Sequence, residues 1–325
     1  MSDASGQVSV SVLGAGAFGT ALACALSDRV VTLWARDADA AADMRAAREN
    51  TRRLPGVTLR DTVIVTSELG DALAPVMLLA MPMQTLAQFV SDRREMLRGR
   101  ALIACSKGVD LETGRGPARV LADALPEATV GVLTGPSFAA DIGRGLPTAL
   151  TLACADEAAG EALQAALSAP ALRLYRTADV AGAELGGALK NVIAIAAGVC
   201  IGAGLGDSAR AAIMTRGYAE MLRFAAARGA RAETLAGLSG FGDLVLTCTS
   251  EKSRNYRFGL SLGEGAEFDA GTTVEGVATA RALARSAAEE GVEMPVTTMI
   301  AAVIDGRLTI DQAREALLSR PLKEE

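Results

Sequence analysis

The sequence predicts an α/β domain followed by an all-helical one, and three observations lead there. From Val8 to about Tyr175 short apolar runs alternate with helical stretches, the pattern of a mostly parallel sheet with crossover helices. Between the first run and the first helix stand Gly14, Gly16 and Gly19, in Gly-x-Gly-x-x-Gly spacing. After about Thr177 strand-like runs largely vanish and long Ala-rich helical segments take over. The expected architecture is therefore an α/β Rossmann-like dinucleotide-binding domain over residues 1–180 and a helical substrate and catalytic domain over 181–325, two domains being ordinary for a chain of 325 residues.

The expected strands, in order, are Val8–Leu13, Val30–Trp34, Thr62–Thr66, Val76–Ala80, Ala101–Ala104, Thr129–Leu133, Thr148–Ala153 and Leu172–Tyr175. Each is a short apolar run bounded by turn residues. Helical periodicity fills the gaps at Gly19–Leu26, Ala38–Glu49 and Gln84–Leu97. In the second half, "DSARAAIMTRGYAEMLRFAAARG" reads as one long helix, with Asp207 or Ser208 as its N-cap and Gly229 as its stop. The tail after Pro321 reads as disordered.

In the glycine turn, Gly14 permits the tight turn, Gly16 lets a pyrophosphate approach the backbone, and Gly19 lets helix and strand pack closely. The amino terminus of the following helix then faces the phosphates. The second strand ends at Ala35-Arg36-Asp37, and Arg36 lies twenty residues beyond Gly16. An acidic residue at that point holds the ribose 2′-hydroxyl of NAD, whereas Arg suits the 2′-phosphate of NADP. Arg36 favours NADP(H); Asp37 beside it leaves NAD(H) open.

Composition removes whole classes of chemistry. The chain contains no histidine, which excludes Ser-His and Cys-His nucleophilic systems, most zinc sites and every dehydrogenase with a histidine proton carrier. Five scattered cysteines, none in C-x-x-C spacing, suggest neither a disulfide framework nor a metal site and read as small packing residues. A net charge of −6 without a basic stripe argues against nucleic acid as partner. The first residues, "MSDASGQ", lack the basic start and long apolar stretch of a secretory signal. The longest uncharged stretch, Asn191–Gly206, falls short of the ~18 apolar residues that span a bilayer, so a cytoplasmic protein without a membrane span is expected.

One residue stands out against this background. Of 32 basic residues only Lys107, Lys190, Lys252 and Lys323 are lysines, and Lys190 sits inside "ELGGALKNVIAIAAG". An ammonium there loses hydration, and burial disfavours the charged form. Alcohol oxidation by hydride transfer needs a group that takes up the hydroxyl proton, and in a chain without histidine a desolvated lysine suits that role. Lys107, in "LIACSKG", lies just past a strand's carboxyl end, where doubly wound folds bind ligands.

The motifs "GAGAFGTALA", "NTRRLPG", "CSKGVD", "TGPSFA", "ELGGALKNVIAIAAG", "GLSGFGDLVLTCTSEKSRNYRFG", "TTVEG" and "GVEMPV" follow one another along the chain. In order and spacing the sequence resembles the bacterial NAD(P)-dependent glycerol-3-phosphate dehydrogenases. The resemblance implies that Lys190 is the proton acceptor. It implies that Lys107, Gly135, Ser137, Asp243, Ser253, Arg254 and Asn255 line the site of a small phosphate-bearing substrate, Lys107 and Arg254 also touching the cofactor. Ala17, Phe18, Arg36, Ala139, Thr273 and Glu275 match cofactor-contacting positions, beside Gly14, Gly16 and Gly19. A homodimer, no metal, and a supply of glycerol 3-phosphate for phospholipid synthesis are further implications. Ala17 departs from the family, standing where Ser is frequent. The related β-hydroxyacid dehydrogenases are a rival reading with a carboxylate substrate, and a non-catalytic NADP(H) sensor is another.

Overall fold

A computed structural model describes residues 8–269 and 271–319. The tail expected to be disordered lies outside them. The chain divides into two compact units, Met1–Glu184 and Leu185–Glu325.

The first unit is built on an eight-stranded sheet: β1 (Val10–Leu13), β2 (Val31–Trp34), β3 (Val63–Thr66), β4 (Val76–Leu79), β5 (Ala101–Ala104), β6 (Thr129–Thr134), β7 (Thr148–Cys154) and β8 (Leu172–Thr177). Each forms where an apolar run was expected, with ends that agree within two residues. Their order is β3-β2-β1-β4-β5-β6-β7-β8. All neighbours are parallel except β6 and β7, which run antiparallel with Val132 opposite Ala153. The central strands β1 and β4 are buried throughout, as expected for parallel strands covered on both faces. One apolar cluster, including Val12, Leu22, Leu33 and Leu78, fills one side of the sheet, and a second, with Leu13, Met77, Leu79 and Leu86, fills the other.

Two helix expectations need correction. The stretch expected as Gln84–Leu97 breaks at Arg93 into Met83–Asp92 and Arg94–Leu97, because Arg93 leaves the helical region with φ −122°. The long helix of the second half spans Gly206–Ala227, and its N-cap position is Leu205, which supplies no side-chain cap. Asp207 lies inside its first turn and pairs with Arg210 at 2.8 Å, so its carboxylate serves the helix dipole and an i,i+3 ion pair instead of the cap. Gly229 does end the segment, in the left-handed region at φ +75°.

Helix Val180–Gly202 is 23 residues long and apolar enough in composition to cross a bilayer, but 89% of its most apolar window is buried inside the protein. It is a core helix. Within the second unit its apolar residues pack with Met221, Phe224, Leu244 and Leu283. Helix Arg254–Glu264 crosses it so closely that a Cβ on Gly198 would lie 2.1 Å from the Tyr256 carbonyl oxygen, and one on Gly259 equally close to that of Ile195. Glycine on both helices is what permits this approach. Buried Glu220 receives the N–H groups of Val296 and Thr297 and so caps helix Pro295–Ile304.

Glu184, at the end of the first unit, has a related role. Its Oε1 accepts the Ala118 N–H at 2.6 Å and caps helix Pro117–Ala124. Burial pushes its carboxyl from 4.5 up to about 7, while the Ala118 N–H pulls the other way. The folded chain therefore keeps a proton that the unfolded chain releases between pH 4.5 and 7. Stability falls as pH rises through that window, by on the order of 3 kcal/mol. Glu184→Gln keeps the acceptor and removes the titration. Urea unfolding at pH 5 and pH 8 is expected to show a smaller loss for the variant than for the parent; parallel losses would refute the assignment.

Candidate functional site

The glycine turn follows β1 and touches the residue after β4, so it lies where the strand order of the sheet reverses. Gly14 has φ +114°, and a Cβ there would lie 2.5 Å from the Ala80 carbonyl oxygen. A Cβ on Gly19 would fall 2.0 Å from the Gly14 carbonyl oxygen. Gly16 is different: nothing lies within 4 Å of its absent Cβ. Two glycines are thus needed by the protein's own packing, while the third leaves open space in front of the backbone. Gly16 precedes helix Ala17–Ala25, whose first turn no side chain caps. Such a cradle, with helix N–H groups toward an open face, fits a dinucleotide pyrophosphate.

Other expected positions in this unit surround the same sheet edge. Phe18 and Ala139 join a small cluster with Ala21, Leu54, Val57 and Ile142. Arg36 is exposed after β2 and makes no hydrogen bond or ion pair among the described residues. Asp37 is occupied differently: its carboxylate accepts the Ala40 N–H at 3.0 Å and caps helix Ala38–Ala47, which holds it below the usual carboxylate range. Lys107 follows β5, and its ammonium donates to the Gly135 carbonyl at 3.2 Å. The Ser137 hydroxyl donates to the same oxygen at 3.0 Å. Lys107 and the Gly135–Ser137 turn, which follow different strands, therefore form one cluster.

In the second unit the centre is Lys190, 7% exposed. Nζ donates to Asp243 Oδ1 at 3.1 Å and to Thr247 Oγ1 at 2.7 Å. The Thr247 hydroxyl donates to the same Asp243 oxygen at 3.2 Å. Asp243, 1% exposed, opens helix Asp243–Cys248 and so places itself and Thr247 on one face. The arrangement explains how a lysine resides in an apolar helix: a buried carboxylate compensates its charge and a hydroxyl fills a further donor position. An amine held in this way, by two oxygens, has a defined direction for moving a proton.

Ser253 caps helix Arg254–Glu264 through the Tyr256 N–H at 3.2 Å. Arg254, the first helical residue, is exposed. The Asn255 amide is largely committed inside the protein, since its Nδ2 donates to Asn191 Oδ1 at 2.9 Å and its Oδ1 accepts the Gly276 N–H at 2.9 Å. That second bond ties it to helix Glu275–Glu289, where Glu275 is half-buried beside exposed Thr273. Thr247 and Asn191 were not anticipated as part of the site. The signals for them were Thr247 four residues after Asp243 and Asn191 directly after Lys190.

The cysteines stay outside this chemistry. Burial pushes the Cys105 and Cys248 thiols up to about 12 and Cys24 to about 11, so they remain protonated packing groups.

Comparison with known proteins gives consistent matches. Residues 9–160 match the family described as NAD-dependent glycerol-3-phosphate dehydrogenase N-terminus, and residues 179–315 the corresponding C-terminus. The chain is 62% identical over 320 residues to a Ruegeria sp. (strain TM1040) protein named glycerol-3-phosphate dehydrogenase (NAD(P)+), covering 98% of this chain and all of that one. A protein of the same name from Paracoccus denitrificans is 59% identical over 319 residues, with 98% and 100% covered. Among solved structures, glycerol-3-phosphate dehydrogenase from Coxiella burnetii aligns with a TM-score of 0.90 at 34% identity, over 97% of this chain and 99% of that one.

Proposed function

This chain belongs to the NAD-dependent glycerol-3-phosphate dehydrogenase family, and from that premise we propose that it interconverts sn-glycerol 3-phosphate and dihydroxyacetone phosphate with NAD(P)(H). The observation that carries the reading is the buried Lys190–Asp243–Thr247 cluster in a chain whose full length matches the family. A bound nicotinamide supplies or accepts the hydride. Lys190 exchanges the proton at the C2 oxygen of the substrate. Asp243 and Thr247 hold Nζ in direction, Lys107 adds positive charge toward the substrate, and Gly135 and Ser137 border it. Arg254 offers a planar donor fork to the phosphate, helped by Asn255 and by the Ser253 hydroxyl proton, which the helix cap does not use.

In this reading residues 1–180 bind the dinucleotide and 181–325 carry substrate and catalytic groups. Gly14, Gly16, Gly19, Ala17, Phe18, Ala139, Thr273 and Glu275 contact the cofactor. The exposed, unpaired Arg36 supports NADP(H) as the preferred form, and the use of Asp37 as a helix cap weakens the case for a ribose-binding acid. A cytoplasmic homodimer feeding phospholipid synthesis completes the proposal. The test is the loss of NADPH absorbance with dihydroxyacetone phosphate, repeated with NADH and with a 2-keto acid in place of the phosphate ester. Turnover is expected with the phosphate ester, faster at low cofactor concentration with NADPH. Turnover with the keto acid alone would sink the reading.

A further inference from the structure

We infer that Asn50 is a positioning residue for the cofactor, orienting the peptide that presents the Gly16 N–H to the pyrophosphate. The inference rests on the dinucleotide reading of the glycine turn. Asn50 is 5% exposed, and its side chain reaches back across the chain to both ends of that turn. Nδ2 donates to the Ala15 carbonyl at 2.9 Å and to Thr20 Oγ1 at 2.8 Å, so both amide protons are used. Its Oδ1 accepts the Arg53 N–H at 3.2 Å, and its own carbonyl receives the N–H groups of Arg53 and Leu54. The amide is therefore fixed by its own loop before it grips the turn. Leu54 and Val57 of the same loop pack against Ala21, Phe18 and Ala139, which anchors that loop on the helix it adjusts.

The geometry gives this grip a direction. In a trans peptide the carbonyl of one residue and the N–H of the next point to opposite sides of the chain. No peptide among the described residues is cis. With the Ala15 carbonyl held inward by Asn50, the Gly16 N–H is turned away from it. The absent Gly16 Cβ has nothing within 4 Å, so the backbone here meets open space. Thr20 contributes from the other end: its N–H bonds the Gly16 carbonyl at 2.9 Å while its hydroxyl accepts from Asn50. Gly16 is thus clamped through both of its flanking peptides, and Asn50 is the side chain shared between the two clamps. Preorganised donors of this kind act on affinity because the ligand need not order them.

The test is binding of NADPH and NADH to the full chain by fluorescence titration, with steady-state kinetics, for Asn50→Ala and Thr20→Val. Asn50→Ala is expected to raise the cofactor dissociation constant and KM by about tenfold, while kcat at saturating cofactor and KM for dihydroxyacetone phosphate stay within twofold. ADP-ribose as a competitor is expected to weaken by a similar factor. AMP, which lacks the pyrophosphate bridge, is expected to change less than twofold, a split that general loosening of the fold would not produce. Thr20→Val, a volume-conserving change, is expected to raise the dissociation constant by about threefold and decides the matter if Asn50→Ala does not fold. Unchanged cofactor affinity in the folded variants, or equal losses for ADP-ribose and AMP, overturns the role of Asn50 alone. Failure of the parent chain to bind either dinucleotide overturns the reading of the glycine turn itself.

Discussion

Replacing Lys190 by alanine is expected to lower kcat by about 10²- to 10⁴-fold and to leave cofactor affinity nearly unchanged. The reason is local. In the proposed reading Nζ exchanges the proton, and its partners, Asp243 and Thr247, are both engaged with Nζ itself. The truncation also leaves the Asp243 carboxylate buried without its counter-charge, which costs about 3 to 5 kcal/mol of stability. A Lys190→Met, Asp243→Asn double variant removes that cost by neutralising both partners. It is expected to fold with near-parental stability and to remain as inactive as Lys190→Ala. Steady-state kinetics with dihydroxyacetone phosphate, beside thermal unfolding, separates the two effects. Near-normal turnover in either variant would remove Lys190 from the chemistry.

Arg254→Ala is expected to act on the other side of the kinetic equation. A bidentate guanidinium–phosphate contact is charge-assisted, and its loss corresponds to about a 10²-fold rise in substrate KM, with a smaller change in kcat. Arg254 is exposed, and the helix it begins is capped by Ser253, so the truncation leaves the cap intact. Stability is expected to change by less than about 0.5 kcal/mol. Arg254→Lys keeps the charge but not the planar fork, and is expected to recover only part of the lost affinity. Equal substrate KM in parent and Arg254→Ala would place the phosphate elsewhere. A fall in kcat alone would point instead to a role in the chemical step.

The two units were unequally legible in the sequence. The central strands β1 and β4 of the first sit where an apolar run ends in a turn, because parallel strands buried on both faces have no polar face to interrupt them. The glycine spacing was legible for a similar reason: turn, close approach and open face are backbone requirements that only one residue type meets. The break at Arg93 and the uncapped start at Leu205 were not, since helix ends are decided by neighbours as much as by propensity. In the second unit the helices were expected but not their crossing, which the paired glycines Gly198 and Gly259 allow.

By itself the sequence determined the α/β-then-helical order, the glycine turn and the anomaly of a lysine inside an apolar helix. These are local properties, written in periodicity, residue type and spacing. Only the tertiary structure decided which oxygens meet Lys190, since Asp243 and Thr247 lie 53 and 57 residues further along the chain. It likewise decided that Asn255 reaches Asn191, and that Asn50 reaches back to Ala15 and Thr20. Buried polar groups must find partners wherever the folded chain brings them, and sequence distance carries no information about where that is.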